Sequence, residues 1–165
     1  MSSTIAATTI HASAVLVGAH AVLIRGPSGA GKSQLAFALI DAARTGRLSF
    51  ARLIGDDRVL LEPHHERLLV RPAPALAGLI EIRGIGVHRL PFEAMGVVGL
   101  VVDLAASDAA RMPEPVAAAT EINGIVLPRL GVAPEHEALA TVIACLSMGI
   151  RPLAKAPVVA THHPS

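Results

Sequence analysis

The sequence predicts a single α/β domain with a mixed sheet. Short runs rich in Val, Ile and Leu recur between Gly, Pro, Asn and Asp residues, and one glycine-rich loop joins such a run to a helical pattern. Asn123-Gly124 is typical of a tight turn between antiparallel strands. A length of 165 residues fits one domain. We expect residues 1–148 to form it and residues 149–165, which are rich in Pro and small side chains, to form a loose tail.

The apolar runs place each element along the chain. We expect strands at residues 13–17, 21–25, 52–55, 58–62, 67–71, 79–83, 97–103 and 125–128. Residues 63–66 are expected to form a second hairpin tip. Apolar residues at helical spacing predict helices over residues 32–44 and 135–148. The mixture of hairpins and helices predicts both antiparallel and parallel neighbours.

Composition excludes several classes of protein. A net charge of +1, three Phe and neither Tyr nor Trp argue against nucleic acid binding, which needs a basic face or stacking aromatic rings. Mean hydropathy is +0.56, but charged residues, His or Pro interrupt every long apolar stretch, so no membrane span is expected. The N-terminus lacks the basic start of a signal peptide, which predicts a cytoplasmic protein. The single cysteine, Cys145, is expected in the core.

A phosphate-binding motif lies between the second predicted strand and the first predicted helix. It matches G-x-x-x-x-G-K-[ST] and consists of Gly26, Pro27, Ser28, Gly29, Ala30, Gly31, Lys32 and Ser33. In such a loop the backbone N–H groups and the helix N-terminus surround the phosphates. Lys32 would neutralise the outer phosphates and Ser33 would offer its hydroxyl to Mg²⁺. This phosphate loop (residues 26–33) predicts binding of ATP or a similar triphosphate with Mg²⁺.

Three acidic positions are candidates for the remaining chemistry. Asp103 ends an apolar strand, as the Mg²⁺ ligand of an ordinary nucleoside triphosphatase does. Asp56-Asp57 follows another predicted strand. Glu81 alternates with isoleucines and shares a strand face with Arg83, beside a Gly-x-Gly bend. The pattern alone leaves a site rim and a solvated strand face open for Glu81 and Arg83.

These motifs together resemble the catalytic domain of the HPr kinase/phosphorylase family. The family carries a phosphate loop, then an Asp-Asp pair after a short strand, then a signature of the form apolar-Glu-Ile-Arg-Gly-apolar-Gly. Here the loop is followed by Asp56-Asp57 and by residues 80–87, in the same order and at similar spacing. His11 stands fifteen residues before Gly26, where the family places a catalytic histidine, and Ala73-Pro74 precedes the signature. The resemblance covers residues 11–111.

The resemblance implies a fold like that of phosphoenolpyruvate carboxykinases and an ATP- and Mg²⁺-dependent serine kinase. The acceptor would be the phosphocarrier HPr or an HPr-like protein. Lys32 would bind phosphates, Ser33 and Glu81 would hold Mg²⁺, and Asp57 would be the acid/base beside His11. Arg111 falls near the position of a later family arginine. In reverse, with inorganic phosphate as acceptor, the same carboxylate would donate the proton.

The sequence also departs from the family. Full-length members have an N-terminal regulatory domain that this sequence lacks, so we expect a short form consisting of the kinase core. Beyond Asn123-Gly124 the family pattern diverges after residues 127–131, which leaves phosphorolysis and homo-oligomer formation open. Two alternatives also stay open: a nucleoside triphosphatase that uses Asp103 for Mg²⁺, and a nucleotide-sensing module that does no catalysis.

Overall fold

The computed structural model describes residues 7–110 and 114–147 of the chain. Eleven strands and two α-helices lie within them. The strands are β1 (Thr8–Ile10), β2 (Ser13–Val17), β3 (His20–Arg25), β4 (Ala51–Gly55), β5 (Val59–His64), β6 (Arg67–Pro72), β7 (Leu79–Ile82), β8 (Gly86–Arg89), β9 (Gly96–Leu104), β10 (Ala119–Ile122) and β11 (Ile125–Val132). The helices are α1 (Lys32–Arg44) and α2 (Ala138–Ser147).

Nine of these strands form one mixed sheet. Seven follow the order β1-β5-β6-β9-β3-β2-β4. Strand β11 pairs with the C-terminal end of β9, and β10 pairs with β11. Strand β9 runs parallel to β3 and to β11, and the other pairs of the sheet are antiparallel. Strands β7 and β8 make a separate hairpin. The expected mixed sheet is therefore confirmed.

Apolar side chains cover both faces of the sheet. Helix α1 buries Leu35, Ala36, Leu39 and Ala42 against one face, and Val142 of α2 joins the same cluster. The opposite face carries a second cluster that includes Leu23, Ile54 and Leu61. Because both faces are covered, central strands such as β3 bury consecutive residues, which explains why their apolar runs were visible in the sequence.

Two hairpin turns lie where the sequence places them. Ile122 pairs with Ile125 across Asn123-Gly124, whose φ angles of 50° and 80° are those of a two-residue hairpin turn. His64 pairs with Arg67, so the second turn is shorter than the expected tip at residues 63–66.

Three strands have no counterpart among the predicted ones. Strand β1 has three residues, two of them exposed threonines, and every residue of β8 is exposed. Strand β10 buries no residue fully. None of them has the continuous or alternating apolar residues on which strand prediction depends. Helix α2 begins three residues later than expected, because residues 134–136 form a turn. The predicted tail, residues 149–165, lies outside the described residues.

Among the described residues, no helix is long and apolar enough to span a bilayer.

Candidate active site

The phosphate loop connects the end of β3 to the start of α1. Gly29 and Gly31 adopt φ angles of 81° and 98°, a left-handed conformation that side chains with a Cβ rarely adopt. At Gly26 an added Cβ would lie 3.1 Å from the Cβ of Leu104, so the loop backbone packs closely against the end of β9. The glycines therefore serve the path of the backbone, as the motif requires.

Lys32 places its charge over the loop from which α1 begins. Its Nζ donates to the carbonyl oxygens of Gly26 at 2.8 Å and Pro27 at 3.2 Å. The first-turn positions Lys32 and Ser33 are both half-buried. One cation and one hydroxyl thus stand at the positive end of α1, where an anion is favoured.

The carboxylate of Asp56 joins the segments that the motifs identified separately. It is 3% exposed and lies directly after β4. Its Oδ1 accepts from the hydroxyl of Ser13 at 2.6 Å and from that of Ser33 at 2.7 Å. Its Oδ2 accepts from Ser33 at 2.9 Å and from the backbone N–H of Glu81 at 3.1 Å. The phosphate loop, the Asp-Asp pair and the signature segment therefore meet at this carboxylate.

Asp57 follows the buried carboxylate and has a different environment. Its side chain is exposed, and its φ of 67° lies in the left-handed region, which costs energy for most residues with a Cβ but less for Asp and Asn. The backbone therefore turns sharply between the two acids. Asp56 is held inside while Asp57 faces the solvent.

Strand register places His11 on the segment opposite Asp57. Ile10 pairs with Val59, and Ala14 pairs with Gly55. The connections 11–13 and 56–58 therefore run beside each other between these two pairs. His11 is exposed, as Asp57 is.

Glu81 lies on the β7–β8 hairpin with its backbone tied to Asp56 and its side chain exposed. The expected strand 79–83 ends one residue earlier, at Ile82. Arg83 belongs to the turn at residues 83–85, in which Gly84 has a φ angle of 90°, and Gly86, the first residue of β8, has one of 85°. Glu81 and Arg83 are thus not neighbours on one strand face. Backbone attachment to a buried acid nevertheless sets Glu81 apart from an ordinary surface position.

Asp103 takes part in a network of ion pairs at the end of β9. Arg25 donates to its Oδ1 from Nε at 2.7 Å and to its Oδ2 from Nη2 at 2.8 Å, and Arg129 donates to Oδ2 from Nε at 2.6 Å. Burial by itself would raise the pKa of Asp103, but the hydrogen bonds and charges of the two guanidinium groups outweigh it and lower that pKa. Both carboxylate oxygens are therefore engaged by arginines.

The same network extends to the loop that follows β9. Arg129 donates through Nη1 and Nη2 to the two carboxylate oxygens of Asp108, at 3.0 and 2.9 Å, and through Nη1 to the carbonyl of Ala117. The hydrogen bond from Arg129 lowers the pKa of Asp108. Arg111, the remaining predicted site residue, lies outside the described residues.

Sequence reasoning did not identify three of these residues as part of the site, and it did not distinguish the roles of Asp56 and Asp57. Asp56 was visible as half of an acidic pair, but only its burial separates it from Asp57. Ser13 and Arg129 carry no local signal, since their partners lie 43 and 26 residues away. Arg25 directly precedes the phosphate loop, yet its pairing with Asp103 depends on the parallel register of β3 and β9.

The donor atoms around the loop fit a hard cation. The Ser33 hydroxyl and the Glu81 carboxylate offer oxygen, which Mg²⁺ prefers, and Mg²⁺ usually keeps several waters and takes one or two protein ligands. Within residues 7–110 and 114–147, no group of three or more His, Cys, Asp or Glu residues could hold a metal ion. A metal that shares its shell between few side chains, water and phosphate is compatible with that finding.

Comparison with known proteins identifies one family. Residues 3–124 match the model described as HPr Serine kinase C-terminal domain. Proteins named HPr kinase/phosphorylase from Mycoplasma mycoides subsp. mycoides and from Levilactobacillus brevis are 40% and 41% identical over 77 and 80 residues. These matches cover 47% and 48% of this chain but only 22% and 24% of the relatives, so the chain matches about a quarter of their length.

A solved structure extends the likeness to most of the chain. The structure titled Hpr(Ser) kinase/phosphatase from Coxiella burnetii superposes with a TM-score of 0.70 at 25% sequence identity. The match covers 86% of this chain and 95% of that chain. The mixed α/β fold is therefore shared with that protein.

Proposed function

This chain belongs to the HPr serine kinase C-terminal domain family, and from that membership we propose that it transfers the γ-phosphoryl group of ATP to a serine of a phosphocarrier protein. HPr or an HPr-like carrier is the proposed acceptor, as the names of the matched relatives suggest. The proposal includes phosphate-loop binding of the nucleotide, a relation of the fold to phosphoenolpyruvate carboxykinases, and a catalytic unit contained in residues 1–148.

One observation carries the proposal: the meeting of three motifs at Asp56. Its carboxylate accepts from Ser33 of the phosphate loop at 2.7 Å and from the N–H of Glu81 in the signature segment at 3.1 Å. An isolated phosphate loop would support any nucleotide-binding protein. A phosphate loop tied through a buried acid to Glu81, with a second acid exposed beside it, supports phosphoryl transfer to a further substrate.

The proposed roles follow from position and chemistry. The loop N–H groups and Lys32 hold the triphosphate, and Ser33 and Glu81 are the proposed ligands of Mg²⁺. When bound, Mg²⁺ supplies charge neutralisation on the phosphate oxygens. Asp56 orients the Ser33 hydroxyl by accepting a hydrogen bond from it. Asp56 thus has a structural role, and the reactive carboxylate is a different residue, Asp57.

Asp57 is the proposed general base. Its exposed carboxylate takes the proton of the acceptor serine while that oxygen forms a bond to the γ-phosphorus, and the bond from the γ-phosphorus to the β,γ-bridging oxygen breaks. ADP leaves, and the proton remains on Asp57 until it passes to solvent. We propose that His11, on the neighbouring segment, hydrogen-bonds this carboxylate or the transferred group. Phosphorolysis of the phosphoserine would use the same carboxylate as the proton donor.

The structure favours this proposal over a nucleoside triphosphatase that uses Asp103 for Mg²⁺. Both oxygens of Asp103 accept hydrogen bonds from Arg25 and Arg129 at 2.6–2.8 Å. A metal would have to displace two guanidinium groups from this carboxylate. Asp103 is therefore proposed as a structural anchor between β3, β9 and β11.

Incubation with γ-labelled ATP, Mg²⁺ and the purified phosphocarriers of the source organism tests the proposed function. The expected product is a carrier labelled on serine, absent when that serine is replaced by Ala and absent with Lys32→Ala protein. Release of labelled free phosphate without labelled carrier would identify a triphosphatase instead. ATP binding without turnover on any carrier would identify a nucleotide sensor.

A further inference from the structure

A cavity lies at the end of β3 that is distant from the phosphate loop. Its volume is about 750 Å³, within the range of small-molecule sites, and it is lined by His20 at the start of β3 together with Arg47 and Arg67. The phosphate loop follows Arg25 at the other end of the strand, roughly 17 Å away at about 3.3 Å per residue. We call this space the arginine cavity.

The cavity opens where the neighbours of β9 diverge. Strand β6 pairs with β9 at Gly96 and Val97, whereas β11 pairs with it only from Val101 onward. Along this edge of β9, neither of the two strands pairs with residues 98–100 in the described structure. The cavity opens through this gap between β6 and β11, which results from the pairing of the strands.

A bulge at Gly99 shapes the wall of the cavity. On the β3 side Ala21 pairs with Val98 and Val22 with Leu100, so Gly99 is an extra residue in the ladder. A Cβ added at Gly99 would lie 2.7 Å from the Cβ of His20. Glycine therefore allows the His20 side chain to lie against the strand within the cavity lining.

Two cations in the lining have no counter-charge among the described residues. Neither guanidinium group, of Arg47 or of Arg67, has a hydrogen bond or ion pair with a described residue, and both residues are exposed. No Asp or Glu occurs among the described lining residues. Two arginines close to them in sequence do have acidic partners: Arg44 pairs with Asp41 at 2.6 Å, and Arg71 pairs with Glu62 at 3.5 Å.

The rest of the lining is largely apolar. Leu48, Val98 and Leu100 are buried, with exposed fractions of 9%, 4% and 5%, and Leu146 of α2 adds a further aliphatic side chain. Unpaired guanidinium groups beside such a surface suit a ligand with an anionic head and an apolar body, because each part meets a matching environment. An acidic metabolite without an apolar body would leave the aliphatic wall unused.

We propose that the arginine cavity binds a small amphipathic organic anion, carrying a carboxylate or phosphate head on an apolar body, independently of the nucleotide. Arg47 and Arg67 hold the anionic head of the ligand, and the aliphatic side chains of the lining, which include Leu48 and Leu146, contact its apolar body. The site is separate from the proposed catalytic centre and does not depend on the proposed function.

Titration of the full chain with 8-anilinonaphthalene-1-sulfonate, an amphipathic fluorescent anion, tests this site. We expect saturable binding that ATP does not displace. Octanoate or phenyl phosphate should displace the probe, and the more effective of the two identifies the preferred head group. Inorganic phosphate at equal ionic strength should not displace it, because it has no apolar body.

Paired variants locate the binding. The double variant Arg47→Ala/Arg67→Ala should bind the probe with an affinity at least tenfold lower. The double variant Arg44→Ala/Arg71→Ala removes the same net charge and should leave the affinity for the probe within about twofold. Circular dichroism and thermal unfolding of both double variants establish that the fold is retained. The proposal is overturned by absence of saturable binding, by equal loss in both double variants, by displacement with ATP or inorganic phosphate, or by failure of both organic anions to compete.

Discussion

Replacement of Asp57 by Asn separates the proposed chemistry from the backbone geometry. The side chain is exposed and the φ of 67° is one that Asn tolerates nearly as well as Asp. The free energy of unfolding should therefore change by less than about 0.5 kcal/mol. Loss of a general base should lower the rate of transfer to serine by about 10²–10⁴-fold, which corresponds to roughly 2.7–5.4 kcal/mol of barrier.

Asp57→Ala provides the matched comparison. Ala lacks the tolerance of Asp and Asn for the left-handed region, where a residue with a Cβ loses roughly 1–2 kcal/mol. We expect both variants to show this loss of transfer rate, Asp57→Ala with lower stability and Asp57→Asn with nearly unchanged stability. ATP affinity, urea unfolding and single-turnover transfer to the carrier should be measured on both proteins. Full transfer by folded Asp57→Asn protein would refute the assigned base, whatever the phosphate loop binds.

Three further predictions concern the acids around the loop. Asp56→Ala removes the acceptor for Ser13, Ser33 and the N–H of Glu81. The buried Ser13 hydroxyl left unpaired should cost about 1–3 kcal/mol, so the urea midpoint should fall more than in Asp57→Asn, and an unchanged midpoint would contradict the anchoring role. Glu81→Gln keeps the hydrogen bond from the backbone N–H to Asp56, so the free energy of unfolding should not change, while the Mg²⁺ concentration for half-maximal transfer should rise. Normal transfer at low Mg²⁺ would show that Glu81 is an ordinary surface residue. Asp103 has a folded-state pKa below its usual 3.8, so its stabilising contribution is present above that value and is lost as pH falls through the lowered folded pKa. Urea midpoints measured across acidic pH should therefore fall less steeply in Asp103→Asn than in the unaltered protein, and parallel curves would contradict the network's role.

The sequence alone was informative wherever local spacing carries the signal. Gly26, Gly31 and Lys32 stand at fixed intervals between an apolar run and a helical pattern, and the structure has a strand, a left-handed turn and α1 at those positions. Asn123-Gly124 identified its hairpin for the same reason, since two adjacent residues determine a two-residue turn. The order of the motifs also identified the family, which the match over residues 3–124 confirms.

Local spacing could not rank the acids. Asp56 and Asp57 are identical in type and adjacent in sequence, and only the chain reversal at φ 67° directs one inward and the other outward. Asp103 looked like a metal ligand at a strand end until the parallel register of β3, β9 and β11 brought Arg25 and Arg129 to it. The expected strand 79–83 was one residue too long, because the turn at residues 83–85 begins before the apolar pattern ends.

The sequence by itself determined the family, the mixed α/β class and the phosphate-loop motif, because each depends on residues close together or on motifs in a fixed order. Only the tertiary structure decided which acid is buried, which is exposed and which is held by arginines. It also decided that β6 and β11 part along β9 to leave the arginine cavity. The physical reason is that hydrogen bonds such as that of Ser13 to Asp56 join residues 43 positions apart, and such partners are selected by strand pairing, which no local pattern specifies.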